Sequence, residues 1–152
     1  MRPTLELPRL SLAERDRRWA AVRKEMAARK LDVIVLWGWP TMWDFYTANA
    51  RYLCPIGGNA EFNILIFPAT GEPTSIVQMP TFLDGWRAAQ SWVADVRPRT
   101  KTWADSVANR LKELKLDGAR IGMDGYAGPL DPDGWVPHDV HLRMTELMPK
   151  AE

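Results

Sequence analysis

Two histidines near the end of the chain have the residue type that most often binds metal ions. His138 and His141 are three positions apart, which a helix would bring toward one face, and Asp131 and Asp133 lie shortly before them. A zinc-peptidase helix instead places its histidines four positions apart, with a glutamate base between them. Because the sequence offers no obvious further ligand set, we interpret the pair as part of a surface helix. We predict no metal site and no catalytic residue in this chain.

Tryptophans follow the most apolar run of the chain, residues 32–36. Trp37, Trp39 and Trp43 come directly after this predicted strand, and ligands of open α/β sheets bind beyond the carboxyl ends of the strands. Aromatic rings in such a position either fill the core or line a pocket or an interface. The sequence leaves both interpretations open.

Polar side chains that could recognise a small substrate follow in the next segment. Arg51 could bind a carboxylate through two guanidinium nitrogens, and Gly57 and Gly58 permit unusual backbone shapes nearby. We predict that these side chains join the tryptophans in one cluster at one end of the sheet, near the substrate and facing a partner subunit. The six predicted members are Trp37, Trp39, Arg51, Tyr52, Asn59 and Glu61. The alternative is that Tyr52 belongs to the core and that Arg51 is merely solvated.

The composition excludes several classes of protein. A length of 152 residues suits one domain of ordinary size. The net charge is +1 and the basic residues of the first predicted helix alternate with acidic ones, so we expect no nucleic-acid partner. The single cysteine excludes an internal disulfide framework. Because no signal peptide is recognisable and no apolar run approaches ~20 residues, we expect a cytoplasmic protein without a membrane partner.

Alternating helix and strand patterns predict how the candidate residues are positioned. Ser11 and Glu14 form a capping box before a helix at residues 12–29, whose apolar stripe contains Leu12, Trp19, Val22 and Met26. Further helices are predicted at residues 41–48, after Pro80, around residues 103–114 and from Pro137 to about residue 148. Predicted strands lie at residues 32–36, 52–53, 62–67, 74–79, 93–96 and 120–123.

These elements predict an α/β fold, with a mixed sheet of about five to six strands and helices on its faces. The punctuated turn between residues 67 and 74 indicates a hairpin. We expect residues 1–10 to form an extended arm and residues 11–152 to form a single domain.

The order of several short motifs resembles one known family. The motifs are Arg18-Trp19, Asp32-Val33-Ile34-Val35, Asn49-Ala50-Arg51-Tyr52-Leu53, Trp92-Val93-Ala94-Asp95-Val96-Arg97, Arg120-Ile121-Gly122-Met123-Asp124 and Leu147-Met148-Pro149. Together they resemble the N-terminal domain of the creatinase, prolidase and aminopeptidase P family, from Ser11 to the end of the sequence. Each motif is short, and their order and spacing carry the similarity.

The resemblance implies a non-catalytic domain of a metal-dependent Xaa-Pro dipeptidase or creatinase-like hydrolase. Full-length members of the family carry a C-terminal "pita-bread" domain that binds two divalent metal ions through two aspartates, one histidine and two glutamates. The sequence stops near the usual domain boundary, so we expect that domain to be absent and the isolated chain to be inactive without a cofactor of its own. The resemblance further implies a homodimer that acts on a small molecule or a dipeptide.

One departure from the family leaves the substrate open. Cys54-Pro55-Ile56 separates Leu53 from Gly57, in the loop that family members extend toward the neighbouring subunit's substrate pocket. The substrate could be a dipeptide, a creatine-like amidine or another small molecule. A free-standing binding or oligomerisation module of the same fold is the main alternative function. A remote third is an enzyme that uses a pocket at Trp37–Trp43.

Overall fold

The computed structural model describes residues 9–40, 45–58, 61–126 and 134–152. Five strands run through this part of the chain: β1 Val33–Gly38, β2 Asn63–Pro68, β3 Thr74–Val77, β4 Asp95–Pro98 and β5 Ile121–Met123. Its α-helices are α1 Leu12–Ala28, α2 Ala48–Leu53, α3 Leu83–Ala89, α4 Trp103–Glu113 and α5 His138–Leu147. Short 3-10 turns at Phe45–Thr47 and Pro80–Phe82 precede α2 and α3.

The strands form one mixed sheet in the order β4-β3-β2-β1-β5. The pairs β1–β2 and β2–β3 are antiparallel, whereas β1–β5 and β3–β4 are parallel. The predicted α/β fold and the hairpin between β2 and β3 are therefore confirmed. In register, Trp37 pairs with Ile64 and Gly38 with Asn63, so the carboxyl end of β1 meets the beginning of β2.

Alternation along the strands creates two packed faces. We call the side covered by α1, α2 and α3 the first face; its core includes Trp19, Leu36, Leu53 and Phe67. The side covered by α4 and α5 is the second face, where Val33, Val35, Trp37, Ile64 and Leu111 are buried. Because β1 contributes Leu36 to one face and Trp37 to the other, adjacent residues of one strand enter separate cores.

Helix α1 begins as predicted but packs over less of its length. Ser11 Oγ accepts a hydrogen bond from the backbone N–H of Glu14 at 3.1 Å, whereas the Glu14 carboxylate pairs with Arg17 and Arg18 at 2.7 and 2.8 Å. Trp19 is 5% exposed, but Leu12 is 49% exposed. The prediction that Leu12 packs into the core was wrong, because the first turn extends beyond the buried part of the stripe.

The segment around Tyr52 is helical, which corrects the strand predicted at residues 52–53. Ala50 and Leu53 are buried while Arg51 and Tyr52 are exposed, a three-residue spacing that fits a helix. An alternating strand would have placed Arg51 and Leu53 on the same side. The described part of the sheet therefore has five strands rather than six.

Other predicted boundaries shift by a few residues. The strand predicted at residues 93–96 is observed at Asp95–Pro98, and the helix predicted for residues 41–48 includes residues 41–44, which lie outside the described ones. Of the predicted arm, residues 1–8 lie outside them as well. None of the helices described is long and apolar enough to cross a membrane.

Candidate functional site

An aromatic cleft opens on the second face, at the carboxyl end of β1. We call it the tryptophan cleft; its lining residues are Trp37, Gly38, Trp39, Phe62, Ile64 and Trp103, and it encloses about 190 Å³ including its open mouth. The antiparallel pairing of β1 with β2 and the first turn of α4 bring these rings together. Most of that space is open solvent, and the enclosed part has room for about one water molecule.

The rings of the cleft contact one another at angles. Trp39 and Phe62 meet edge to face at 4.6 Å between centroids, and Phe62 lies 6.3 Å from Trp103. The Arg99 guanidinium lies over the Trp103 ring, 5.3 Å from its centroid. Arg99 has no hydrogen bond or ion pair from its side chain to any residue described. The rings of the cleft therefore pack against one another, and one of them, Trp103, also carries a guanidinium over its face.

Trp37 contributes a polar atom that lacks a partner. Its side chain is 2% exposed, and its indole Nε1 is buried without a hydrogen bond. Its backbone is fully used, because its N–H donates to Asp124 Oδ1 at 2.6 Å and its carbonyl accepts from Trp135 Nε1 at 3.0 Å. The backbone is fixed while the buried donor of the side chain remains unsatisfied, which is an uncommon state for a buried polar group.

Gly38 allows the close approach that forms the cleft. A Cβ atom built on Gly38 would lie 2.6 Å from the carbonyl oxygen of Asn63, the residue it pairs with. No other residue type fits between the strands at this point without a shift. The glycine thus keeps Trp37 and Trp39 in register with β2.

Asp124 also belongs to this region, although it was not among the predicted site residues. It follows β5, which runs parallel to β1, and its Oδ2 accepts a hydrogen bond from Asn49 Nδ2 at 3.1 Å. Burial raises the pKa of this carboxyl, against the hydrogen bonds from Trp37 and Asn49, which lower it. The signal that could have identified Asp124 was its position directly after β5, whose carboxyl end lies beside that of β1. Asp124 links β1, β5 and α2.

Arg51 and Tyr52 lie on the first face, across the sheet from the tryptophans. Tyr52 is 41% exposed, and the Arg18 guanidinium lies over its ring at 4.6 Å while donating to its carbonyl at 3.0 Å. Arg51 is exposed, and its side chain has no hydrogen bond or ion pair within the described residues. Next to them is an open apolar groove of about 410 Å³, lined by Val22, Ile34, Leu36, Asn49, Tyr52 and Leu53.

Glu61 is buried and serves as an anchor for backbone. Only 3% of it is exposed; Oε1 accepts from the N–H groups of Gln78 and Met79 at 2.8 and 3.3 Å, and Oε2 accepts from Trp86 Nε1 at 3.2 Å. These bonds hold the chain where it leaves β3 and enters α3. Asn59, the sixth predicted member of the site, lies outside the described residues.

The structure therefore brings only some of the predicted residues together. Trp37 and Trp39 share one cleft, whereas Arg51 and Tyr52 lie on the opposite face and Glu61 is enclosed. Asp124 connects the two faces at one end of β1, since it contacts Trp37 and Asn49. Whether these residues approach a substrate or a partner subunit stays a prediction.

The predicted surface helix at the histidines is observed. His138 and His141 are exposed on α5, and Tyr126 Oη lies 2.6 Å from His141 Nδ1. Across the ranges that the structure describes, no three His, Cys, Asp or Glu side chains form a group that could hold a metal ion. Asp131 and Asp133 lie outside those ranges.

Cys54 lies in the first core and is fully buried. Burial raises the pKa of its thiol to about 12. Next to it, Asn63 Nδ2 donates to the carbonyl of Ile56 at 3.1 Å and Ser75 Oγ donates to Asn63 Oδ1 at 2.6 Å. The hydrogen bonds of Asn63 and Ser75 fix the backbone that follows α2. The Cys54 thiol, buried and with a raised pKa, is not placed to act as a nucleophile.

A family model matches most of the chain. The model, described as the creatinase/prolidase N-terminal domain, covers residues 18–152. No curated protein matches the sequence.

Solved structures with the same fold belong to peptidases. The Xaa-Pro dipeptidase from Bacillus anthracis matches with a TM-score of 0.62 and 14% identity, over 88% of this chain and 31% of that chain. An Xaa-Pro aminopeptidase from Streptococcus pyogenes gives 0.64 and 15%, over 93% and 94%. The N-terminal domain of the cytoplasmic peptidase PepQ from Mycobacterium tuberculosis gives 0.63 and 15%, over 90% and 89%. At these identities the similarity shows the fold. The chain spans about a third of the Bacillus dipeptidase.

Proposed function

The chain belongs to the creatinase/prolidase N-terminal domain family, and we propose that it is the non-catalytic N-terminal domain of a metal-dependent Xaa-Pro dipeptidase or creatinase-like hydrolase. The observation that supports this proposal is the family match from residue 18 to residue 152, together with the same fold in an Xaa-Pro dipeptidase of which the chain covers 31%. As the mycobacterial relative is described as cytoplasmic, we place the hydrolase in the cytoplasm.

The metal chemistry of such a hydrolase would belong to another part of the protein. The described residues do not supply a group of ligands for a divalent ion, so they do not fit the metals that the family implies. We assign the two divalent ions to a C-terminal domain. The role left to this chain is to bind and orient the substrate.

The proposed contribution is part of a substrate pocket and a contact between two subunits. Trp37 and Trp39 lie at the carboxyl end of β1 on the second face, and Tyr52 lines the groove beside β1 on the first face. Arg51 supports this role because it is exposed and its side chain has no hydrogen bond or ion pair within the described residues, and a guanidinium can hold a carboxylate through two nitrogens. A small molecule or a dipeptide is the substrate class that fits this arrangement. Buried Glu61 would hold the backbone nearby.

A free-standing binding or oligomerisation module is the second candidate. The structure of the N-terminal domain of the mycobacterial peptidase, which aligns over 89% of its length, supports only that a domain of this fold can stand on its own. The two candidates differ in what the gene encodes after residue 152. An open frame that continues with two aspartates, a histidine and two glutamates supports the hydrolase; a stop codon at that point supports the module.

A dipeptidase assay tests whether this chain is non-catalytic. We expect no hydrolysis of Gly-Pro by the purified 152-residue chain with Mn²⁺ or Co²⁺. Metal-dependent hydrolysis that disappears when His138 and His141 are both changed to alanine would contradict the proposal.

The role of Arg51 is tested in the protein that carries both domains. Arg51→Ala should raise KM or lower kcat while the metal content stays unchanged. Arg29→Ala is the matched control, because Arg29 is also exposed but lies before β1, at the other end of the strand. Unchanged kinetics in Arg51→Ala would remove Arg51 from the site.

A further inference from the structure

Strand β5 lies at one edge of the sheet. It pairs with β1 on one side and, among the described residues, with no strand on the other. The backbone N–H of Asp124 donates to the carbonyl of Val35 at 3.3 Å, so Asp124 faces β1. Because the backbone groups of successive residues in a parallel ladder point to opposite sides, those of Ile121 and Met123 point outward from the sheet.

Most of these outward groups have no partner. The N–H of Ile121 donates to the carbonyl of Glu152 at 2.7 Å. The carbonyl of Ile121 and both backbone groups of Met123 have no hydrogen bond within the part of the chain that the structure describes. The three residues of β5 are only partly buried, whereas all six of β2 are buried. This edge therefore offers two acceptors and one donor to an incoming strand.

The opposite edge of the sheet, at β4, is protected. The N–H of Arg99 donates to the carbonyl of Val77 at 2.7 Å, so Arg99 faces β3 while Val96 and Pro98 face outward. The Arg87 guanidinium donates to the carbonyl of Val96 at 2.9 Å, and Pro98 has no N–H. Proline and charged side chains are the usual protection of an edge against added strands. The three residues of β5 include neither a proline nor a charged side chain.

Glu152 already lies along β5 in a parallel direction. Its N–H donates to the carbonyl of Ala119 at 3.1 Å, and its carbonyl accepts from the N–H of Ile121. A residue that bonds to two residues two positions apart is the pattern of a parallel ladder. Helix α5 lies between β5 and this residue in the chain, as the crossover helix of a βαβ unit lies between two parallel strands.

We propose that the outer edge of β5 binds a sixth strand parallel to it, formed by the segment that follows Glu152 in the longer hydrolase. The existence of that segment rests on the proposed function, whereas its path follows from the hydrogen bonds of Glu152. In a parallel ladder, the second residue after Glu152 donates to the carbonyl of Ile121 and accepts from the N–H of Met123. The segment that joins the two domains is then part of the sheet rather than a free linker.

Gly122 leaves room for a side chain of the added strand. It pairs with Ile34, and a Cβ built on Gly122 would lie 2.8 Å from Leu31 Cδ1 and 3.0 Å from Ile34 Cγ2. Leu31 and Ile34 pack against the first core but are only partly buried. Since paired residues of neighbouring strands share a face, the second residue after Glu152 lies beside Gly122 on the first face. A β-branched apolar side chain there would cover Leu31 and Ile34.

Three short tails added to the 152-residue chain test whether the edge binds a strand. The first tail is Thr-Val-Thr-Val. The second, Thr-Pro-Thr-Val, lacks the N–H that would bond to Ile121; the matched control, Pro-Val-Thr-Val, lacks only an N–H that points away from β5. Hydrogen exchange of the Met123 amide, followed by NMR, is the readout. We expect the first and third tails to slow this exchange about tenfold relative to the chain without a tail, and the second to slow it much less.

The amide of Ile66, in the buried strand β2, separates local pairing from overall stabilisation. Pairing at β5 should slow the exchange of Met123 by a larger factor than that of Ile66. Equal slowing of both amides, no slowing of Met123, or equal slowing of Met123 by all three tails would overturn the proposal.

The protein that carries both domains tests which segment forms the strand. Its Met123 amide should exchange about tenfold more slowly than in the 152-residue chain, and proline as the second residue after Glu152 should abolish the difference. If the tails protect Met123 but the two-domain protein does not, the segment after Glu152 is not the sixth strand. That result would leave the hydrolase proposal intact, since the gene sequence and the kinetics decide it separately.

Discussion

The aromatic rings on the two faces of the sheet differ in what they contact. On the first face, guanidinium groups cover the rings: Arg23 lies 4.9 Å from the centroid of Phe67 and 5.5 Å from that of Trp19, and Arg18 lies 4.6 Å from that of Tyr52. On the second face the rings of Trp39, Phe62 and Trp103 mainly meet one another and leave a cleft, and, among the described residues, a single guanidinium, that of Arg99, lies over Trp103.

The difference extends to the indole nitrogens. Trp19 Nε1 donates to the carbonyl of Leu53 at 2.9 Å, whereas Trp37 Nε1 has no partner. Both side chains are almost completely buried. Equal burial therefore accompanies two degrees of hydrogen bonding: the indole N–H of Trp19 is satisfied and that of Trp37 is not.

The largest effect that we expect is a loss of stability from a change on the first face. Trp19→Ala should lower the free energy of unfolding by about 3–5 kcal/mol, because it removes a buried ring that packs edge-on against Phe67 at 5.6 Å. Urea denaturation followed by circular dichroism measures the change. Leu12→Ala, on the same helix but exposed, should stay within about 0.5 kcal/mol. An unchanged midpoint for Trp19→Ala would show that α1 does not support the first core.

Replacing Trp19 or Trp37 by phenylalanine compares the two faces directly. Both changes shrink a buried ring, but only Trp19→Phe leaves a buried acceptor, the carbonyl of Leu53, without its donor. We expect Trp19→Phe to cost about 1–3 kcal/mol more than Trp37→Phe in the same denaturation experiment. Equal costs would mean that the unpartnered donor of Trp37 has no energetic consequence, and the comparison of the faces would fail.

Asp124, which contacts residues of both faces, should make the free energy of unfolding depend on pH. Burial raises the pKa of Asp124 in the folded chain above its ordinary value of about 3.9, so the folded state binds more protons between these two values. The contribution of this carboxyl to stability therefore falls as pH rises through that window and is constant above it. Asp124→Asn does not titrate.

The measurement compares urea denaturation of Asp124→Asn and the unchanged chain from about pH 4 to pH 7. The stability of the variant relative to the unchanged chain should increase with pH across the window. A difference that is the same at every pH would show that Asp124 does not titrate as its burial indicates.

The smallest effect belongs to the exposed helix on the first face. Arg51→Ala should change the free energy of unfolding by less than about 0.5 kcal/mol, because its side chain is exposed and unpaired among the described residues. The same denaturation curves measure it. A larger loss would indicate a structural role and would undermine Arg51 as a substrate-binding candidate.

Much of the fold could be predicted because its elements have strong local patterns. The stripe through Trp19 and Met26 identified α1, and the β-branched run identified β1. The six-residue helix α2 was missed since it is too short for periodicity to decide between helix and strand. Leu12 shows a second limit: spacing predicts which side a residue takes, but not how far the partner surface extends.

The site was harder to predict than the fold. Spacing placed Trp37 and Trp39 after a buried strand, whereas Trp37 is part of β1 and only Trp39 lies beyond it. Spacing also could not show that Tyr52 lies on the other face. Asp124 and Asn49 are 75 positions apart and meet because α2 packs beside β1 while β5 pairs with it. Glu61 looks like a functional carboxylate in the sequence, and only the fold reveals its three internal donors.

The buried thiol of Cys54 allows the opening of the first core to be measured by chemical labelling. A thiol with a pKa of about 12 and no exposure cannot react with a labelling reagent in the folded state at neutral pH. Modification therefore requires that the first core opens and exposes the sulfur. Because Cys54 is the single cysteine of the sequence, the labelling rate measures how often the first core opens and contains no signal from the second core.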